Sequence, residues 1–228
     1  MRLDKQRIVV TGAFGTLGAA VVRAALDAGA QVAAIDRVSV PAGLDAAHGF
    51  GGVDLADVAE AQRAIDSAAE ALGGLDALVN VAGAFRWETL DNGDIDTWDL
   101  LYRINLRTVV VASKAVLPYL QHEGRGRIVN IGANSALKAA AGVGAYTASK
   151  SGVMRLTEAL AEELKPSGIT VNAVLPSIID TPPNRADMPD ADFDRWVKPE
   201  QLASVIVFLL SDAASAITGA LIPVTGRV

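Results

Sequence analysis

The chain has no cysteine and only two histidines among its 228 residues. Disulfides, thiolate nucleophiles and sulfur-ligated metals are therefore excluded, and the isolated His48 and His122 offer no histidine cluster for zinc. No metal site is expected, so the chemistry must rest on oxygen and nitrogen groups or on a cofactor. Basic residues are also in deficit. Twenty Lys and Arg against 26 Asp and Glu give a net charge of −6, which opposes nucleic acid, because phosphate binding needs clustered cations. No apolar run approaches the roughly 20 residues that span a bilayer. The segment MRLDKQRIVV passes from charge directly into a short apolar run, without the hydrophobic region and cleavage site of a signal peptide. The expectation is a soluble cytoplasmic protein with no membrane or nucleic-acid partner, and the lack of cysteine agrees with a reducing compartment.

What is present is apolar surface for a two-faced core. The chain is 51% hydrophobic and 20% charged, with a mean hydropathy of +0.32, which excludes disorder and coiled coil. No linker-like stretch divides it, so residues 1–228 read as one domain. Seven apolar runs have strand character: Arg7–Gly12, Gln31–Asp36, Gly51–Leu55, Asp76–Gly83, Arg127–Ala133, Ile169–Pro176 and Ala220–Gly226. Helical periodicity separates them at Thr16–Ala28, Val58–Leu72, Ile95–Leu120, Ala145–Lys165 and Glu200–Leu210. Runs so rich in Val and Ile suit strands covered on both faces. The expected fold class is therefore α/β: a single doubly wound, Rossmann-like domain with a seven-stranded, mostly parallel sheet and helices on both faces. The proline-containing segment Ser177–Lys198 cannot be regular helix, and its place after the sixth strand puts it over the carboxyl ends of the sheet as a lid or substrate loop.

TGAFGTLG, Thr11 to Gly18, follows the first strand with glycines at 12, 15 and 18, where missing Cβ atoms let a pyrophosphate approach helix N-terminal amides. The spacing is G-x-x-G-x-x-G rather than G-x-G-x-x-G, and a bare strand–helix turn also uses glycines. Asp36 ends the second strand 18 residues after Gly18, near the spacing at which an acid accepts from adenosine ribose hydroxyls. The same carboxylate repels a 2′-phosphate, favouring NAD(H) over NADP(H), whereas the adjacent Arg37 can accept that phosphate.

Tyr146 and Lys150 in AYTASKSGV are an i, i+4 pair on one helix face. An ammonium about 5 Å from the phenol, at an effective dielectric of about 20, favours phenolate by ~3 kcal/mol, or ~2 pKa units. That would bring a group titrating near 10 down to about 8, as a general acid/base requires. The spacing alone is weak, and its meaning comes from the motifs around it.

Taken together, these motifs resemble those of the short-chain dehydrogenases/reductases along nearly the whole chain. The resemblance implies that TGAFGTLG, with Phe14 and Leu17, is the cofactor turn, and that Asp54 and Leu55 of VDL lie on the adenine side. NVAG, with Asn80, Ala82 and Gly83, resembles the family's NNAG, Val81 replacing the second Asn. Asn105 of RINL resembles the active-site Asn that relays protons through water to the lysine. Tyr146 and Lys150 resemble the catalytic pair, with Lys150 also holding the nicotinamide ribose. Thr181, following Pro176 and Ile179, resembles the threonine at the cofactor carboxamide. By this resemblance residues 1–125 form the cofactor-binding part and 126–228 the catalytic and substrate part, in a homo-oligomer, tetramer or dimer, built through long helices and the last strand.

One position departs from the family. Where members place a serine 13 residues before the tyrosine, to hydrogen-bond the substrate oxygen, this chain has Ala133. Losing such a donor costs ~3 kcal/mol, or 10²- to 10³-fold in rate. Three readings follow: Asn134 or Ser135 stands in; the substrate is activated enough to need no donor; or the chain is a non-catalytic dinucleotide sensor or scaffold. GANSALKAAAGVGAY and DTPPNRADMPDADFDRW are similar to dihydropteridine reductases, which also lack the serine and reduce a quinonoid pterin. Phe85 or Trp87 would then offer an aromatic surface to a flat substrate, with core packing or an oligomer contact as the other role for Trp87. Trp196 reads as an anchor of the loop. The expected function is an NAD(P)(H)-dependent oxidoreductase acting on a small carbonyl or quinonoid molecule.

Overall fold

Seven strands run parallel in one sheet in the order β3-β2-β1-β4-β5-β6-β7: β1 Arg7–Thr11, β2 Gln31–Ile35, β3 Ala47–Phe50, β4 Ala77–Asn80, β5 Gly126–Ile131, β6 Ile169–Pro176 and β7 Leu221–Val224. The structure, a computed structural model, describes residues 1–44 and 47–228. The order reverses between β1 and β4, so the crevice at the carboxyl ends of these strands is where a doubly wound sheet takes ligands.

Side-chain alternation builds two cores from the same apolar runs. Ile8, Val10, Ala77, Val79 and Val129 face α1 (Thr16–Asp27) and α7 (Pro199–Leu210). Val9, Leu78, Ile128 and Val171 face α2 (Val58–Leu72), α4 (Thr108–His122) and α5 (Gly144–Leu164). Both faces are dry, which is why the strands read as continuous rather than alternating runs. No helix among the described residues is long and apolar enough to cross a membrane.

Three expected elements fall differently. The third strand is Ala47–Phe50, not Gly51–Leu55. Ala-His-Gly-Phe has little strand propensity and is held at the sheet edge by pairing with β2, while Gly52, at φ 76°, turns the chain out of the sheet. The helix expected over Ile95–Leu120 is α3 (Ile95–Leu101), a π-helical turn (Tyr102–Arg107) and α4. Segment 177–198 is not wholly irregular. Pro182 and Pro183 open a short helix, α6 (Pro182–Asp187), where a proline lacks no needed donor, and the Thr181 hydroxyl caps it by accepting from the Asn184 amide. Trp196 anchors the segment, 5% exposed and packed on Phe193.

An ion pair ties the amino ends of the central strands together. Arg7 donates to Asp76 through Nε (2.8 Å) and Nη2 (2.9 Å), and its Nη2 reaches Glu123 just beyond α4 (2.8 Å). Burial alone would raise the Asp76 carboxyl, but hydrogen bonds and charge from Arg7 outweigh it and hold the group below the ordinary carboxylate range. A depressed carboxylate stabilises the fold above its unfolded pKa, near 3.9, and that contribution disappears as the pH falls through the folded value. Asp76→Ala is expected to cost about 2 kcal/mol at pH 7, a gap that closes as the pH drops below about 4. Urea unfolding of both proteins at the two pH values checks this.

Candidate active site

The glycine turn is sterically required. Gly12 sits at φ +61°, where a Cβ would lie 2.7 Å from the Ala82 backbone, and a Cβ on Gly18 would lie 2.0 Å from the Gly12 carbonyl oxygen. Gly15 is the N-cap of α1; no side chain caps this helix and no acid stands in its first turn, so its N-terminal amides keep their affinity for an anion. The Thr11 hydroxyl accepts from the Val81 and Ala82 amides (3.2 and 3.3 Å), pinning the NVAG segment to the turn. Asp36 accepts from the Phe14 amide at 2.9 Å, so the acid is fastened to the turn itself, with Arg37 exposed beside it. Asp54 accepts from the Ala56 amide at 2.9 Å and pairs with Arg103 at 2.6 Å; that hydrogen bond, foremost, holds its carboxyl below the ordinary range.

Two residues expected here turn elsewhere. Leu55 is buried in the core beside α2. The Asn80 amide points into the protein and donates to Asn130 (2.9 Å) and Ser113 (3.3 Å), so its side chain braces β4 against β5 and α4.

The π-helical turn places Asn105 in complete burial. Its Oδ1 accepts from the Ala84 amide (2.8 Å), and its Nδ2 donates to the Ala84 carbonyl (3.0 Å) and the Ser149 hydroxyl (3.0 Å), which donates in turn to the Tyr146 carbonyl (2.7 Å). Such turns, with one residue more than an α-helical turn, concentrate at functional sites. Gly83 passes between this amide and Lys150: a Cβ there would meet Asn105 Oδ1 at 2.9 Å and Lys150 Nζ at 3.3 Å. The Lys150 amine donates to the Ile131 carbonyl at 2.8 Å. The Tyr146 ring meets Phe85 edge to face, centroids 4.9 Å apart.

Burial governs both titrating groups. It pushes the Tyr146 phenol up to about 12 and the Lys150 amine down to about 8. The expected fall of the phenol toward 8 is thus not found in the protein alone. Desolvation disfavours phenolate and ammonium alike, and it is the cause of both shifts.

A cavity of about 490 Å³ opens at the carboxyl ends of β4, β5 and β6. Tyr146, Lys150, Phe85, Ala133, Asn134 and Ser135 line it, with Leu17, Gly83, Pro176 and Ile179 on the side of the glycine turn. Trp87 is not part of it. The indole is 64% exposed and lies against Gly142, outside the chamber. Asn184 and Met188 line it from α6 and just beyond; the sequence reading identified their loop but had no signal for these positions. Ser149 was also passed over, although it lies within the Tyr146 to Lys150 motif. No cluster of three or more His, Asp or Glu among the described residues could hold a metal.

The family model described as short chain dehydrogenase matches residues 6–192. The chain belongs to this family. As a short chain dehydrogenase it is an oxidoreductase of a family that binds NAD(P)(H). It is 33% identical to 2-(S)-hydroxypropyl-CoM dehydrogenase 3 of Xanthobacter autotrophicus, covering 99% of this chain and 97% of the relative. It is also 33% identical to 3-alpha-(or 20-beta)-hydroxysteroid dehydrogenase of Mycobacterium tuberculosis, covering 99% and 90%. The crystal structure of gox2181 superposes with a TM-score of 0.91 at 31% identity, covering 99% and 96%. Relatives named for such different alcohols leave the substrate to the cavity itself.

The Lys150 shift has a sign that can be measured. Because its folded pKa, about 8, lies below the unfolded value, the unfolded chain binds more protons between about pH 8 and 10.5, and wild-type stability rises over that window. Lys150→Met is expected to stabilise the protein at pH 7 by on the order of 1–3 kcal/mol, with the advantage shrinking as the pH rises through the window. Thermal unfolding at pH 7 and 10 checks it.

Proposed function

We propose that this oxidoreductase transfers hydride between NAD(H), favoured over NADP(H), and a small carbonyl or quinonoid substrate, with Tyr146 exchanging the proton. The observation that carries this reading is the convergence of Tyr146 and Lys150 on one cavity whose wall, Gly83, is wedged against Asn105. The residues fit a dinucleotide, since Gly12 and Gly18 keep clear the space that Cβ atoms would fill and α1 has an uncapped N-terminus. In this reading the Gly12, Phe14, Gly15, Leu17, Gly18 turn holds the pyrophosphate, Asp36 the adenosine ribose, and Asp54 and the Leu55 backbone the adenine edge. Ala82, Gly83, Lys150, Pro176, Ile179 and Thr181 hold the nicotinamide half, so that residues 1–125 chiefly bind and 126–228 chiefly react. When bound, the dinucleotide supplies or accepts the hydride.

Tyr146, held near 12, is protonated at neutral pH and donates to the carbonyl oxygen in the reductive direction. In this reading Lys150 lines the cavity beside Tyr146, and Asn105, its amide bonded to Ala84 and Ser149, seats Gly83 against the amine and stands where a water could relay protons to it. A second reading comes from Ala133, 3% exposed in the cavity lining where family members carry a hydroxyl. A quinonoid acceptor of the dihydropteridine type needs no such donor. With an ordinary ketone, Asn134 or Ser135 takes the role. The protein is further read as a cytoplasmic homo-oligomer, tetramer or dimer, supported by exposed Trp98, Leu100, Tyr102 and Val110 along α3 and α4.

Tyr146→Phe is expected to lower kcat well over tenfold while leaving NADH affinity nearly unchanged, measured by steady-state kinetics and fluorescence titration. Oxidation of the product alcohol requires phenolate, so its rate should rise with pH while reduction stays flat through neutrality. Ala133→Ser should speed reduction of an ordinary ketone and leave a quinonoid substrate unaffected. For the cofactor, NADH should bind about tenfold or more tightly than NADPH, and Asp36→Ala should narrow the gap. Equal affinities in the parent would give Arg37 the deciding role.

A further inference from the structure

We propose that the substrate is an uncharged, ring-sized carbonyl compound, and that this cavity rejects carboxylates, sulfonates and phosphates. The inference rests on the proposed function, reading the part of the cavity away from the residues assigned to the dinucleotide as the substrate site, and concerns what that part admits. Of the residues lining it, Tyr146 and Lys150 are the titratable ones among the described residues. The Lys150 amine is turned to the Ile131 carbonyl at 2.8 Å, and the same proposed reading commits it to the cofactor ribose. The remaining polar lining is neutral: Asn134, Ser135, Ser177 and Asn184. Ser177 is engaged with the Thr225 carbonyl at 2.7 Å, and Asn184 Nδ2 with the Ile179 carbonyl at 2.8 Å, which leaves the Asn184 carbonyl oxygen as an acceptor. The Asn134 and Ser135 side chains make no hydrogen bond among the described residues.

The cation of the overlying loop is withdrawn as well. Arg185, next to Asn184 in α6, holds Asp180 through Nε (2.6 Å) and Nη2 (2.8 Å), and its guanidinium lies 4.6 Å from the Phe193 ring centroid. Its charge is therefore spent on a neighbouring carboxylate and an aromatic face. An anion entering the chamber would lose water against Phe85, Val143, Ile178 and Met188 and find neutral amides in exchange, which do not repay the desolvation of a charge. The chain's net charge of −6 opposes its approach. An uncharged ring with an amide or hydroxyl edge loses little on entry and finds matched donors and acceptors.

Two ketones of the same shape isolate charge as the variable: 4-acetylbenzamide and 4-acetylbenzoate. Binding of each to the NADH-loaded protein is read from the fluorescence of bound NADH, and reduction is followed separately. The amide is expected to bind at least tenfold more tightly. Met188→Arg, which places a guanidinium in the lining, should narrow that preference by raising affinity for the carboxylate. Equal binding of the two in the parent, tighter binding of the carboxylate, or no detectable binding of the amide at millimolar concentration overturns the proposal. Preferential binding of the amide without reduction of either ketone would support the charge rule and count against the hydride-transfer reading, so the two fail separately.

Discussion

A buried amine with a single carbonyl acceptor is the constraint around which this site is arranged. Lys150 is 5% exposed, and its protein partner is the Ile131 carbonyl at the end of β5. Water is thus largely replaced by one dipole, and burial lowers the amine toward the point where it carries charge only part of the time at mildly alkaline pH. A solvated lysine at the same helix position would cost the fold nothing and would act weakly on its surroundings. The strained ionisation of this one makes it responsive to any charge or dipole placed beside it, in keeping with the tendency of functional sites to hold groups away from their preferred state.

The rest of the site is shaped to keep that amine in place. Gly83 can run beside Lys150 because it lacks a side chain, and it runs there because Asn105 grips Ala84 on both its amide and its carbonyl. Asn105 reaches this position from a π-helical turn, and its remaining donor is taken by Ser149, one residue before Lys150 in α5. The chain from Ser149 through Asn105 to Ala84 therefore couples α5 to the NVAG segment. The Thr11 hydroxyl continues the coupling from NVAG to the glycine turn. These segments are joined mostly by hydrogen bonds between side chain and backbone, with the buried Asn105–Ser149 bond as the side-chain link.

What was legible in the sequence follows from which constraints are local. The glycines at 12 and 18 announce themselves because a Cβ at either would lie only 2.0 to 2.7 Å from neighbouring backbone. Tyr146 and Lys150 share a face by helix geometry alone. The central parallel strands were readable because both faces of the sheet are dry there. The rest depended on tertiary context. Ala-His-Gly-Phe becomes a strand only because β2 offers it an edge, and apolar periodicity runs unbroken through the π-helical turn, hiding it. Asn80 lies among residues expected to hold the cofactor, yet its side chain is directed into the protein, toward Asn130. Trp87, two residues beyond Phe85, missed the cavity by a similar margin. For the phenol, spacing gives the distance to an ammonium but not the burial that holds it near 12.

Ala133 ties these points together. A serine there would add a hydroxyl to a lining whose neutral polar groups are Asn134, Ser135, Ser177 and Asn184. Its replacement by a buried methyl leaves Tyr146 as the one ionisable donor in the lining, apart from Lys150, with a proton to give at neutral pH. A donor near 12 is weak and gives up its proton only to an oxygen or nitrogen that has become strongly basic as hydride arrives. Electron-poor acceptors take hydride through a low barrier because they delocalise the charge that arrives with it; plain ketones concentrate it on one oxygen and, on the proposed reading, draw stabilisation from Asn134 or Ser135. The same scarcity of donors and charges that makes the chamber inhospitable to anions thus bears on reactivity. On the proposed reading, a site with little electrostatic help to offer suits a substrate that carries its own activation.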